Sequence, residues 1–521
     1  MMGLVLVNCA KRGSPNGGAL DSLPPVFVKA DPPNFTTNFV GDEIKIYFDE
    51  YVKLKDYQKQ LIISPPLTNS LISPQGTAAK FITIDIKDTL QANTTYVFNF
   101  GQSIVDNNEG NPYAYFKYIL STGDYIDSLS VKGDIVDALE RKPDNFVTVM
   151  LYEADSTYSD SIVYKNPPRY VTNTLDSLTS FEITNLKEGI YKLVAMKDED
   201  ANFTFQPKKD KIAFYEDFIT VPKDTTYRLK LFSESVPVKV SRPKHAGAQR
   251  INFGVQGNLD SLTVSTISKV PTDFESLLTV LKKDTLSFLF KPKATADSLV
   301  FALKSHDYLD TLVATLRQLK EDTLTFKSYS GTSLILNKPF EITSSIPIMN
   351  IDSTKISIVA DSLMVPFIPT IDPKQGRFSL KFDTKEDTKY SFTILPEALT
   401  DFFGNTNDTL SFTTKTKEFS DYGDIELTLL NALHYPYIVQ LMTEQGEVKE
   451  ERYATEETVF NFNTLKPAKF YIRIIEDKNG NGIYDSGNFL EQRQPETVIY
   501  YPELIELNAG WLPKLIFELK D

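Results

Sequence analysis

Two stretches of this chain carry one pattern at a fixed distance, and that repetition limits the fold more than any other feature. Phe181-Glu182-Ile183-Thr184-Asn185-Leu186-Lys187 stands ahead of Tyr191-Lys192-Leu193-Val194-Ala195-Met196-Lys197-Asp198. Phe460-Asn461-Phe462-Asn463-Thr464-Leu465-Lys466 stands ahead of Phe470-Tyr471-Ile472-Arg473-Ile474-Ile475-Glu476-Asp477. The separation is constant, since 460 − 181, 465 − 186 and 477 − 198 all equal 279. Each stretch reads as strand, turn, strand and acidic loop. Ungapped self-similarity of this kind marks a duplicated structural unit.

The rest of the chain repeats the strand signal. Glu43-Ile44-Lys45-Ile46-Tyr47-Phe48 and Ile425-Glu426-Leu427-Thr428-Leu429 alternate between apolar and polar residues, as half-buried strands do. Phe146-Val147-Thr148-Val149-Met150-Leu151-Tyr152 is nearly all apolar, and its β-branched and aromatic content predicts a strand buried on both faces. The 35 Phe and 26 Tyr supply cores for many such strands, and the 29 Pro and 23 Gly punctuate them. Helical periodicity is nearly absent; Pro396-Glu397-Ala398-Leu399 is the one place where a helical turn is expected. The fold class is therefore all-β, with sandwiches of roughly 100 residues each. Five of these fill 521 residues better than three or four.

The pattern F-x-[IF]-x-x-L-x-x-x-x-[YF] in the two repeats resembles the prealbumin-like and carboxypeptidase regulatory-like domains of surface proteins. A second pattern opens on Pro24-Pro25-Val26. It runs through Ile44-Lys45-Ile46-Tyr47-Phe48-Asp49-Glu50 and Ile62-Ile63-Ser64-Pro65-Pro66. It closes on Asn93-Thr94-Thr95-Tyr96, Ile104-Val105-Asp106-Asn107-Asn108-Glu109-Gly110-Asn111 and Ser121-Thr122-Gly123. It resembles the bacterial Ig-like domain of Bacteroidota-type lipoproteins, and a weaker copy follows at Thr388–Phe392, Asp401–Asn405 and Ser411–Thr414. Together the resemblances imply tandem Ig-like and prealbumin-like β-sandwich modules. The expected order is a tether over 1–22, an Ig-like domain over 23–124 and a prealbumin-like sandwich over 125–235. A β-sandwich over 236–330, an Ig-like domain over 331–417 and a prealbumin-like sandwich over 418–521 follow. Residues 236–330 are assigned by strand pattern alone. Such modules join, space or bind, and are not usually catalytic.

The chain has one cysteine, Cys9, behind the apolar run Gly3-Leu4-Val5-Leu6-Val7-Asn8. Leu6-Val7-Asn8-Cys9 resembles a lipobox, which implies that Cys9 carries a diacylglyceryl anchor. The run before it has no Lys or Arg and is shorter than the roughly 7–15 apolar residues of an export signal. The natural start is therefore expected upstream. Lys11-Arg12-Gly13-Ser14-Pro15-Asn16-Gly17-Gly18 has the composition of a flexible tether. A lone thiol forms neither an intramolecular disulfide nor a multi-cysteine zinc site. Acyl chains would then be the membrane attachment. The competing reading is a start-proximal cysteine of no consequence.

Asp477-Lys478-Asn479-Gly480-Asn481-Gly482-Ile483-Tyr484-Asp485 is the sharpest metal candidate. Calcium takes oxygen ligands from loop positions 1, 3, 5, 7 and 9, with a turn glycine at 6. Asp477, Asn479, Asn481, the carbonyl of Ile483, and Asp485 occupy those places, and Gly482 occupies the sixth. The twelfth position is Asn488, where an EF-hand has Glu. The alternative is an Asn/Gly-rich turn that needs no ion. The first repeat offers Asp198-Glu199-Asp200-Ala201-Asn202 in the same place, with Phe203 at position six. Calcium is the one cofactor candidate.

The tripeptide Asp-Ser/Thr-Leu begins at Asp21, Asp88, Asp127, Asp176, Asp260, Asp284, Asp297, Asp310, Asp322, Asp361 and Asp408. Average composition would give about one in a chain this long. The tripeptide is similar to the O-glycosylation acceptor of exported Bacteroidota proteins, which implies Ser128, Thr285 and Thr323 as acceptors. The competing reading is a turn followed by a strand. His245, His306 and His434 form no metal-ligand spacing, and Ser305-His306-Asp307 is mere adjacency. No GxSxG, P-loop or HExxH occurs. An enzyme is not expected. A net charge of −14 argues against a nucleic-acid surface.

The sequence thus predicts a non-catalytic, lipid-anchored outer-membrane scaffold for other envelope proteins, such as an outer-membrane β-barrel protein or its assembly machinery. Recognition by strand addition is physically open to it. The second reading is a cell-surface adhesin or glycan-binding lipoprotein, and a third is a set of accessory domains for an enzyme encoded elsewhere. The face of the membrane is left open, since Lys11 and Arg12 follow Cys9 where a surface-export signal would be acidic.

Overall fold

A computed structural model describes residues 21–175, 178–257, 259, 262–282, 284–305, 308–331 and 333–519. These residues are almost entirely strand and turn. Among them the one α-helix is the single turn Tyr57–Gln60. Pro396 and Glu397, expected in a helical turn, instead make a tight turn with Glu397 at φ 62°, and Leu399 opens the strand Leu399–Asp401. The reason is local: a left-handed residue breaks the helical path, and the chain must reverse to pair with Ile348–Ile351.

The chain divides into two compact units. The first runs to Glu234 and also holds Ser486–Pro495; the second holds Ser235–Asp485 and Glu496–Asp521.

The first unit begins with an antiparallel sheet ordered Phe27–Asp31, Glu43–Leu54, Ala79–Ile86, Ser70–Ser73, with Ile104–Asp106 also paired to Glu43–Leu54. A second sheet is ordered Ile62–Ser64, Thr95–Asn99, Lys117–Ser121. Ile44, Ile46 and Phe48 point into the core with Ile82, Ile84, Phe98 and Tyr118, as their alternation requires. The next sandwich pairs Leu129–Asp137 antiparallel with Ser180–Leu186 and parallel with Thr226–Leu231. Its other sheet is ordered Tyr170–Asn173, Thr148–Glu153, Gly189–Lys197, Lys211–Phe214.

The continuous apolar run at 146–152 has a simple cause. Val147, Val149 and Leu151 face the core between the sheets. Met150 and Tyr152 face a separate cluster with Val194, Met196, Phe205, Phe214, Phe232 and Phe489. A strand covered on both faces has no polar side to present, so its period of two is hidden in the sequence.

Within the second unit, Arg250–Gln256, Thr285–Lys291 and Glu275–Lys282 pair in that order, and Ser298–Lys304 joins Thr263–Thr266 to Leu309–Thr315. These two sheets enclose Ile251, Phe253, Phe288, Phe290, Phe301 and Leu303. The following sheets pack around Phe340, Phe378, Tyr390 and Phe392. The last sandwich repeats the earlier one. Gly423–Leu430 pairs antiparallel with Val459–Leu465 and parallel with Lys514–Glu518. Ser180–Leu186 and Gly189–Lys197 reappear 279 residues later as Val459–Leu465 and Ala468–Glu476, with identical bounds. The match extends to one backbone angle. Asn185 (φ 61°) and its counterpart Thr464 (φ 57°) both sit in the left-handed region at a register shift. That region suits Asn far better than β-branched Thr.

Candidate functional site

The acidic loops follow the nine-residue strands Gly189–Lys197 and Ala468–Glu476. In the second repeat Asp477 ends Ala468–Glu476 and is fully buried. Its Oδ1 accepts from the N–H groups of Gly480 (2.9 Å) and Asn481 (3.1 Å), and its Oδ2 from Gly482 (2.7 Å). Gly480 and Gly482 have φ 71° and 77°, so this closed loop needs glycine at both places. Asn479 Oδ1 accepts from Asn481 N–H and Asn481 Oδ1 from Ile483 N–H, at 3.0 and 2.9 Å. Both side-chain amides donate to Asp485 Oδ2.

The acidic group that completes the loop is Glu496, which spacing gives no reason to choose. It is buried, with Oε1 accepting from Lys478 N–H and Oε2 from Asp485 N–H, each at 2.9 Å. Burial pushes its carboxyl above the usual range, and the nearby charges of Asp485 and Asp477 add to this. Asn488, the nominal twelfth position, belongs to the first unit and pairs with Arg493. The first repeat uses the same device. Buried Asp210 accepts from Glu199 N–H (3.1 Å) and Gln206 N–H (2.7 Å), and burial raises its pKa. Asp198 Oδ2 accepts from Phe203 N–H at 2.7 Å.

The five expected calcium-loop residues, Asp477, Asn479, Asn481, Ile483 and Asp485, are thus brought together, but by hydrogen bonds among themselves. Among the described residues, no three His, Cys, Asp or Glu side chains are arranged to hold a metal ion. The carboxylates of Asp477 and Glu496 are taken up by backbone N–H groups of the loop and that of Asp485 by the Asn479 and Asn481 amides, so a cation would enter only if these hydrogen bonds gave way.

The tripeptides differ in setting, and Asp310-Thr311-Leu312 lies wholly within the strand Leu309–Thr315. Asp88 accepts from Thr68 O–H and Asn69 N–H, Asp127 from Thr95 O–H, Asp310 from Tyr308 O–H and Thr311 N–H, and Asp322 pairs with Arg250. Leu129, Leu286, Leu299, Leu312, Leu363 and Leu410 then lie in strands. Of the expected acceptors, Ser128 and Thr323 are exposed and Thr285 is half-buried. Cys9, Asp176, Asp260 and His306 lie outside the described residues.

The outward faces of the repeats differ. Thr226–Leu231 and Lys514–Glu518 are edge strands of three-stranded sheets, each with one side unpaired. In the first repeat the exposed residues of that edge are Thr226, Arg228 and Lys230. Charge there blocks pairing with another chain. In the second repeat Ile516 is 65% exposed and sits opposite Thr428, which sits opposite Val459, 51% exposed. Leu430, Trp511 and Leu512 are exposed nearby in the chain. The exposed residues of this second edge are Lys514, Ile516 and Glu518, so it is charged at both ends, and the two edges part at the middle position, where Arg228 stands in one and Ile516 in the other.

Residues 21–120 match the bacterial Ig-like domain family. That first module is thus similar to the Ig-like domain family, whose fold is typically non-catalytic. Comparison with curated proteins gives no match. Among solved structures, the Bacillus anthracis TIE protein is 12% identical, covering 97% of this chain and 76% of its own at a TM-score of 0.15. Domains 1–6 of the surface layer protein SbsC are 10% identical, covering 94% and 68% at 0.14. BcpA, the major pilin subunit of Bacillus cereus, is 11% identical, covering 75% and 99% at 0.15. At such scores none of the three bears on this chain's role. Among the described residues no helix is long and apolar enough to cross a membrane.

Proposed function

We propose that this chain is a non-catalytic scaffold of a bacterial outer membrane, anchored by lipid at Cys9, which holds other envelope proteins. An outer-membrane β-barrel protein or its assembly machinery is the expected partner. The contact is strand addition at Lys514–Glu518. The observation that carries this reading is the divergence of two copies of one fold at one strand. Arg228 puts charge at the middle of the first edge, whereas Ile516 offers an exposed apolar side chain at the matching place of the second, between Lys514 and Glu518. Backbone groups would supply affinity there, and alternate side chains would supply specificity.

Pull-down of the full chain from detergent-solubilised membranes, followed by mass spectrometry, tests the reading. Recovery of a stable envelope-protein partner supports it. Recovery of monomer alone overturns it, and glycan-array binding in place of a protein partner would favour the adhesin reading.

A further inference from the structure

In a chain of net charge −14, one cleft gathers cations alone. It has a volume of about 440 Å³ and is lined by Arg242, Pro243, Lys244, His245, Thr315 and Arg317. One wall is the strand Lys244–Gly247 with the two residues before it; the other is the end of Leu309–Thr315 and the chain just after. Arg242, Lys244 and Arg317 are exposed, and among the described residues none has a side-chain ion pair or hydrogen bond. Asp322, which packs against Gly247 of that strand, is already engaged with Arg250 at 2.8 Å.

The cleft is held in shape by His245. Its Nδ1 accepts from the backbone N–H of Arg317 at 3.0 Å, and its Nε2 lies 3.3 Å from the carbonyl of Ala248. Nε2 therefore carries the proton, and the ring ties the two walls together. His245 is a positioning residue that keeps Arg317 on the rim opposite Lys244.

Gathering three like charges without a counter-ion costs energy that a bound anion recovers. Guanidinium groups present paired N–H donors that match the oxygens of phosphate and sulfate, and the Thr315 hydroxyl adds a neutral donor. A few hundred Å³ is the size of a small-ligand site. We propose that this cleft binds the phosphate group of a small phosphate ester, either a soluble sugar phosphate or a lipid headgroup.

The probe is inorganic pyrophosphate, titrated into the full chain by calorimetry at low salt. The expected result is saturable one-site binding that weakens as salt rises. The double variant R242E/R317E should lose at least tenfold in affinity with its melting temperature unchanged, because both side chains are exposed. H245A should weaken binding while leaving the three fixed charges in place, and K415E, on a different sheet, should bind as the parent does. Sedimentation with phosphatidylglycerol vesicles separates the two sources. Sedimentation that R242E/R317E abolishes supports a headgroup; binding of glucose 6-phosphate without vesicle binding supports a soluble ester. Absence of pyrophosphate binding, or binding that R242E/R317E leaves intact, overturns the proposal.

Discussion

Phe489 is the side chain whose removal should be felt furthest from its own place in the sequence. It lies in Ser486–Pro495, the segment that belongs to the first unit although it follows the second repeat's acidic loop. It is fully buried, meets Phe214 edge-to-face at 5.3 Å, and shares a cluster with Phe205 and Phe232. Its N–H donates to buried Glu234 at 2.6 Å. Nearby, Gln492 accepts from Lys192 Nζ at 2.8 Å. Phe489→Ala should cost about 3–5 kcal/mol for the cavity it leaves, with the lost aromatic pairing contained in that range. The backbone hydrogen bond to Glu234 would survive only if the segment stays docked. Because the chain has several cores, one melting temperature is not a sufficient readout. Hydrogen exchange resolved by peptide is the better assay. Residues 486–495 and the strands around Phe214 and Phe232 should lose protection together, while Gly423–Leu430 keeps its own. Unchanged exchange at Phe214, or a cost below about 1 kcal/mol, far under what a buried aromatic normally loses on truncation, would refute the claim that this segment completes the first unit's core.

The loops and turns carry three further expectations. Asp106 is buried, and burial opposes its charge, but the N–H groups of Asn108, Glu109, Gly110 and Asn111 outweigh this and hold its pKa below the ordinary value. Its stabilising effect is therefore present above the unfolded aspartate's pKa of about 3.9 and fades as pH falls through the lower folded value. Asp106→Ala should cost about 2 kcal/mol at neutral pH and flatten the acid limb of the unfolding curve; an unchanged acid limb would contradict this. Thr464→Asn should raise stability by about 1 kcal/mol in chemical denaturation, since Asn185 already serves at the matching place, and a loss would show that Thr464 is not strained. The loop at Asp477–Asp485 is closed by its own hydrogen bonds, so excess calcium should leave the melt of the second repeat unchanged; a calcium-dependent rise that Asp485→Ala removes would contradict this.

What is legible in the sequence is whatever repeats locally. The alternation of Ile44, Ile46 and Phe48, and of Ile425, Leu427 and Leu429, survives as alternating burial. The repeat at 279 residues survives as identical strand bounds. The calcium-type spacing finds five residues of the acidic loop but misses Glu496, because an excursion of ten residues, Ser486–Pro495, separates it from Asp485. The docking of Phe489 is equally hidden, since contact across more than 250 residues leaves no local pattern. The turn at Pro396–Glu397 escapes sequence reasoning because a left-handed Glu397 is a tertiary outcome that composition does not announce. Edge divergence at Ile516 needs the pairing of Lys514–Glu518 with Gly423–Leu430 before its exposure has meaning.

The central claim is that the second repeat's open edge is a binding surface and the first repeat's is not. Site-specific photo-crosslinking in intact cells tests it most directly, with a benzophenone amino acid placed at Ile516 in one protein and at Lys230 in another. The account predicts an envelope-protein adduct at Ile516 and none at Lys230. Equal crosslinking at both positions, or no adduct at Ile516, would contradict it.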